Sequence, residues 1–234
     1  MPRTTATADA TALTGLVHSL SLHEDPHAPL LLIVHGRAGT HDLMWTFARG
    51  QTAYSILAPQ APLSDPVGNY SWWRMEEGTA PGAGELERAA ETLEEFLERA
   101  SAYYGLAPTK TIALGFSQGA ALLSMVLQRR PELFAGVGLL AGFVVELPTN
   151  PSARTPPPIF VAHGSQDTVV PIARAERGVE YLRSRGHEVA FEVEPVAHKI
   201  GAGSMRKLSE WLTERSKKTF TFVRGRPVPP PGER

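Results

Sequence analysis

Three residue types in this chain occur in an order that can support nucleophilic chemistry at a carbonyl. Ser117 lies in the stretch GFSQG, between Gly115 and Gly119, with the apolar run TIALG leading in and the alanine-rich AALLSMVL leading out. A serine hydroxyl is a weak nucleophile until a base takes its proton, and that base needs an orienting acid. G-x-S-x-G between a strand and a helix is the sequence form of a nucleophile elbow. The chain turns so sharply there that side chains at 115 and 119 would strike neighbouring backbone. The hydroxyl is then held out at a helix N-terminus, whose dipole favours developing negative charge. A plainer reading of the same residues is a serine that caps a helix after a tight turn.

In this motif class the acid and the base follow the serine in that order. Asp167 stands in HGSQDTVVP, just after an apolar run, and either orients the base or caps the helix that begins near Pro171. His198 stands in PVAHKIG, after the run VAFEV, and is the last of eight histidines. A histidine base implies that activity is lost as the imidazole takes a proton. His35 precedes the serine and His163 precedes the acid, so order excludes both. His187 lies before a strand, at the wrong end of a sheet, and His18, His23, His27 and His41 come too early. An oxyanion hole needs the backbone N–H of the residue after the nucleophile, Gln118, and a second donor from a loop after an early strand. The run LLLIVHGRAGT supplies that loop, with Arg37 as the donor through its backbone; its guanidinium either reaches toward the substrate or, the favoured expectation, lies in solvent.

These residues need a scaffold that gathers loops at one edge. Of the apolar runs at 30–34, 55–59, 111–115, 136–142, 159–164 and 189–193, most are apolar on both alternating faces, as buried parallel strands are. Helical spacing appears between them. Over 84–104 the residues Leu86, Ala89, Ala90, Leu93, Phe96, Leu97, Ala100 and Tyr104 mark one face, and Glu87, Glu91, Glu94 and Glu98 belong to a charged face expected in solvent. Further helices are expected over 118–130, 171–185 and 203–216. The alternation predicts an α/β fold with a mostly parallel sheet covered by helices on both faces. Ligands bind such sheets at the C-terminal ends of the strands, where Ser117, Asp167, His198 and the 35–39 loop all fall. One domain over 13–223 is expected, with residues 1–12 and the Pro-rich 224–234 disordered.

With 234 residues, 42% apolar and 20% charged, the composition is that of a globular domain with a sizeable core. The net charge of −1, without a basic stripe, gives no reason to expect nucleic acid as a partner. The absence of cysteine excludes disulfides and thiolate chemistry. No apolar run reaches membrane-spanning length, and the N-terminus lacks the apolar core of a signal peptide, so a cytoplasmic protein is expected.

Taken together, HGRAG, GFSQGA, HGSQDTVVP and AHKIG resemble the phospholipase/carboxylesterase family of α/β-hydrolases, which includes the acyl-protein thioesterases. The resemblance covers roughly residues 28–215. It implies the α/β-hydrolase fold without a large cap, Ser117, Asp167 and His198 as the triad, and Arg37 and Gln118 as the oxyanion hole. It also implies hydrolysis of small or lipid-like acyl esters, with no metal and no cofactor. The segment NYSWWRM resembles the family's aromatic stretch, in which Trp72 and Trp73 either wall an acyl pocket or plug the sheet edge. Two positions depart from the family pattern: Ala197 before the histidine and Ala120 after the elbow, where glycines are usual. The proline-rich FVVELPTNPSARTPPP is too poor in helix formers to build a cap, which predicts an open, shallow cleft. A peptidase, an acyltransferase or a non-catalytic binding module on the same fold are the alternatives.

Overall fold

The computed structural model describes residues 2–75, 82–106, 111–148 and 155–224. Six strands run parallel: β3 (Leu30–Val34), β4 (Ser55–Pro59), β7 (Thr111–Phe116), β8 (Phe134–Leu140), β9 (Ile159–Gly164) and β10 (Val189–Glu194). Two more, β1 (Thr4–Thr5) and β2 (His18–Ser21), join antiparallel to give the order β1-β2-β4-β3-β7-β8-β9-β10. A separate two-stranded hairpin, β5 (Leu63–Ser64) with β6 (Tyr70–Ser71), sits after β4. The helices are α1 (Ala8–Thr14), α2 (Ala83–Tyr104), α3 (Gln118–Arg129), α4 (Ile172–Ser184) and α5 (Ala202–Arg224).

The strand alternation divides the core in two. Leu30, Leu32 and Val34 of β3 face Leu93 and Phe96 of α2, Leu122 and Val126 of α3, and Val179 and Leu182 of α4 in one cluster. Leu31 and Ile33 belong to the other, with Ile112, Leu114, Phe160 and the α5 residues Leu208 and Leu212. Every residue of β3 is buried, and each such side chain stabilises the fold by about 2 kcal/mol relative to exposure. Burial on both faces is why β3 carries no polar alternation, whereas β10, VAFEVE, has no fully buried residue and includes two glutamates.

Several expectations change here. The N-terminal residues expected to be disordered are folded: Thr4 and Thr5 pair with Leu20 and Ser19, and the Thr7 hydroxyl caps α1 by accepting from the Ala10 N–H at 3.2 Å. Gly15, at φ 93°, closes that helix in the left-handed conformation that glycine adopts without steric cost. Strand β2, HSLS, was not expected because only Leu20 is apolar; all four residues are nevertheless buried. His18 is held between the Leu16 carbonyl and the Tyr104 hydroxyl, both at 2.8 Å, so polarity did not prevent burial. Strand β8 ends at Leu140 because Ala141, at φ 47°, leaves extended conformation. Glu94 is not on a solvated face: its carboxylate pairs with Arg129 Nε at 2.8 Å and ties α2 to α3. The expected disorder of 225–234 lies outside the described residues, and Arg224 ends α5.

Candidate active site

Strand β7 passes into α3 through Ser117, whose backbone sits at φ 52°, ψ −114°. A non-glycine residue there stores on the order of 1–3 kcal/mol, which the packing on either side must hold. The flanking glycines explain how. A Cβ on Gly115 would lie 2.4 Å from the Gly119 carbonyl oxygen, and one on Gly119 would lie 2.3 Å from the Val34 carbonyl oxygen. Both neighbours are backbone, which cannot rotate aside. Glycine at 115 and 119 is therefore what lets β3, β7 and α3 meet under the serine.

Asp167 follows β9 and His198 follows β10, neighbouring parallel strands. Their loops arrive side by side: His198 Nδ1 is 2.7 Å from Asp167 Oδ2, and His198 Nε2 is 3.0 Å from Ser117 Oγ. The Asp167 side chain is fully buried, and its Oδ1 accepts the N–H groups of Val169 and Val170, each at 2.9 Å. Burial pushes this carboxyl up, but the bonds from Val170, His198 and Val169 outweigh it and hold the group below its ordinary value. Asp167 thus stays ionised and fixes Nδ1–H as the donor, leaving Nε2 to face the serine. His163 is buried behind it, donating from Nε2 to the Val170 carbonyl at 2.8 Å.

The histidine loop is held from both ends. Glu194, closing β10, accepts from the Gly203 and Ser204 N–H groups at 3.1 and 2.7 Å and so caps α5. Gly164 lies directly beneath: a Cβ there would be 2.1 Å from the Val196 carbonyl oxygen. The Phe116 ring lies 5.2 Å from the His198 ring, centroid to centroid.

The loop after β3 borders the nucleophile, since a Cβ on Gly36 would be 3.1 Å from Ser117 Cβ. His35 shapes this loop. Its Nδ1–H donates to the Gly36 carbonyl at 2.7 Å, and its Nε2 accepts the Ala61 N–H at 2.9 Å. In a trans peptide the carbonyl and the following N–H point in opposite directions, so the Arg37 N–H is turned away from His35. Burial lowers the His35 pKa to about 4, against a smaller opposing effect of the Gly36 carbonyl. Gln118 opens α3, where the leading N–H groups have no acceptor within the helix.

Two expectations about side chains are corrected. The Arg37 guanidinium is not free in solvent: its Nε pairs with Asp65 Oδ2 at 3.0 Å. Trp72 and Trp73 do not front an open cleft; each is 2% exposed and belongs to the core cluster. Trp72 donates from its indole to the His35 carbonyl at 2.9 Å. Gln118 clamps the same segment, accepting the Trp72 N–H at 2.8 Å and donating to the Trp73 carbonyl at 3.0 Å. Their apolar area is used in packing. Between β8 and β9, residues 143–148 run along α3, with Val145 and Leu147 bound by Ser124 and Gln128. Residues 149–154 of that proline-rich stretch lie outside the described residues.

A serine–histidine–aspartate relay at the C-terminal edge of a parallel sheet, with its acid buried and its serine on a strained elbow, defines the α/β-hydrolase class. The match to the phospholipase/carboxylesterase family spans residues 18–216, and the chain belongs to that family. Esterase YpfH of Escherichia coli is 33% identical over 103 residues, 44% of each chain, so the matched stretch spans under half of that relative. Acyl-protein thioesterase 1 of Gibberella zeae is 29% identical over 99 residues, 39% of this chain and 41% of the relative. The carboxylesterase structure of Bacillus cereus superposes with a TM-score of 0.80 at 21% identity, covering 88% of this chain and 97% of that one. That likeness concerns the fold. Among the described residues no cluster of metal-ligating side chains is present, and no helix is long and apolar enough to cross a membrane.

Proposed function

We propose that the protein hydrolyses carboxylic esters or thioesters through an acyl-enzyme. The observation that carries this reading is the continuous relay from Asp167 through His198 to Ser117, at 2.7 and 3.0 Å, on the strained elbow. Ser117 Oγ attacks the acyl carbonyl while His198 Nε2 takes its proton. The carbonyl oxygen gains charge and is received by the Arg37 and Gln118 N–H groups. Collapse of this intermediate expels the alcohol or thiol, which takes the proton from His198. Water, deprotonated by the same Nε2, then cleaves the acyl-serine and restores the hydroxyl. Asp167 remains ionised throughout, holding the tautomer and stabilising the imidazolium.

Family membership and the names of the esterase and thioesterase relatives support acyl esters or thioesters as substrates, small or lipid-like. The burial of Trp72 and Trp73 removes them from the acyl site in this reading. A silent binding module on the same fold would have no use for a strained serine aligned with a histidine and a buried acid.

The test is pre-steady-state release of p-nitrophenol from esters of acetate to dodecanoate, with wild type and Ser117→Ala. A stoichiometric burst in wild type that disappears in the variant is expected. Equal turnover in both proteins would remove Ser117 from the chemistry. No turnover in either would shift the assignment to a peptidase, an acyltransferase or a binding module.

A further inference from the structure

The loop that borders Ser117 carries strain at a residue that is not glycine. Ala38 sits at φ 53°, a left-handed conformation that costs an alanine about 1 kcal/mol or more. It is held there by the β5–β6 hairpin. The Ala38 N–H donates to Ser71 Oγ at 3.1 Å, and Asn69 Nδ2 donates to the Ala38 carbonyl at 3.1 Å. Gly39 and Tyr70 exchange backbone hydrogen bonds of 3.0 and 3.1 Å. One of these contacts leads on to a buried carboxylate, since the Ser71 hydroxyl that receives the Ala38 N–H donates to Asp65.

We propose that Asp65 is a positioning residue for the oxyanion hole, acting through Arg37 and Ser71 on the backbone of residues 37 and 38. Its side chain is 2% exposed, and both oxygens are used as acceptors. Oδ2 accepts from Arg37 Nε at 3.0 Å and from the Ser71 hydroxyl at 2.7 Å, while Oδ1 accepts the Val67 N–H at 2.9 Å. A serine hydroxyl has a single proton. Because Asp65 takes it, Ser71 Oγ presents a lone pair to the Ala38 N–H and locks the following residue of the loop. The same carboxylate tethers the Arg37 side chain, so consecutive residues of the loop are fixed by one buried group. An amide cannot replace it: whichever way an asparagine turns, its NH2 meets a donor, either the Val67 N–H or the Arg37–Ser71 pair. The hairpin is thus a clamp that holds the Arg37 N–H in register with the Gln118 N–H before substrate arrives.

This inference rests on the acyl-enzyme reading above, and the experiment separates the two. Wild type, Asp65→Asn, Ser71→Ala and the double variant are titrated to completion with a fluorophosphonate that labels Ser117, which counts folded active sites. The kcat and KM for p-nitrophenyl acetate are then expressed per labelled site. Inhibition by an aryl trifluoromethyl ketone, which forms an oxyanion on attack, is measured alongside. Each single variant is expected to lose about tenfold in kcat per site, with KM within about twofold, since a misplaced donor fails chiefly in the transition state. The inhibition constant of the ketone should rise by the same factor, and the double variant should be no worse than the more severe single one. A merely structural role would reduce the number of labelled sites and leave kcat per site untouched, and that result would overturn the clamp alone. If Asp65→Asn does not fold, Ser71→Ala decides the matter by the same criteria. Absence of labelling and burst in wild type would overturn the acyl-enzyme reading, and the clamp with it.

Discussion

Between pH 6.5 and 4 the folded protein excludes a proton that the unfolded chain binds at His35. The neutral ring is built into the loop: Nδ1–H donates to the Gly36 carbonyl and Nε2 accepts the Ala61 N–H. Protonation would turn Nε2 into a donor facing a donor, on a ring that is buried from solvent. Its pKa is about 4 in the folded state against 6.5 ordinarily, with burial as the leading cause. The gap corresponds to about 3 kcal/mol at ~1.36 kcal/mol per unit. Because the folded pKa is depressed, this contribution is fully present above pH 6.5 and declines as pH falls, until the folded ring itself protonates near pH 4. Urea melts at fixed temperature from pH 7.5 to 4 measure it directly. At an m-value of about 3 kcal/mol/M, His35 alone accounts for a midpoint shift of roughly 1 M. His18 and His187, also lowered by burial, add in the same direction. His35→Gln supplies an amide donor and acceptor but cannot titrate, so its melts should lose about 3 kcal/mol less than wild type across this range. Parallel stability profiles for the two proteins would refute a neutral, buried His35.

Two further outcomes follow from the packing. Gly119→Ala places a methyl 2.3 Å from the Val34 carbonyl oxygen and 2.6 Å from that of His35, both backbone, and should destabilise by more than about 3 kcal/mol or abolish soluble expression; an ordinary melting temperature would contradict the elbow geometry. Trp72→Phe leaves the His35 carbonyl without its indole donor, at a cost of about 1–3 kcal/mol, yet should not change the preferred acyl length, because the ring lies in the core; a chain-length profile that moves with stability intact would return Trp72 to the acyl pocket.

Much of the site was legible because its geometry is dictated locally. GFSQG states the elbow in five residues, since only glycine tolerates the contacts at 115 and 119. The order of Asp167 and His198 follows from which strands precede them, and doubly buried strands announce themselves as apolar runs. Tertiary structure decided what is carried by long-range polar pairing. HSLS became a strand because Tyr104, 86 residues away, satisfies His18. Residues 4–14 folded because β2 offered an edge and Thr7 a cap. Nothing local distinguishes Trp72 in a cleft wall from Trp72 in a core; the difference is the His35 carbonyl and the Gln118 amide that meet it. Asp65 in DPVGN reads as an ordinary turn residue, and its pairing with Arg37 exists only because the β5–β6 hairpin folds back against the loop after β3. Chain turns and apolar periodicity are short-range properties of the sequence, whereas the partners of a buried polar group are chosen by the whole fold.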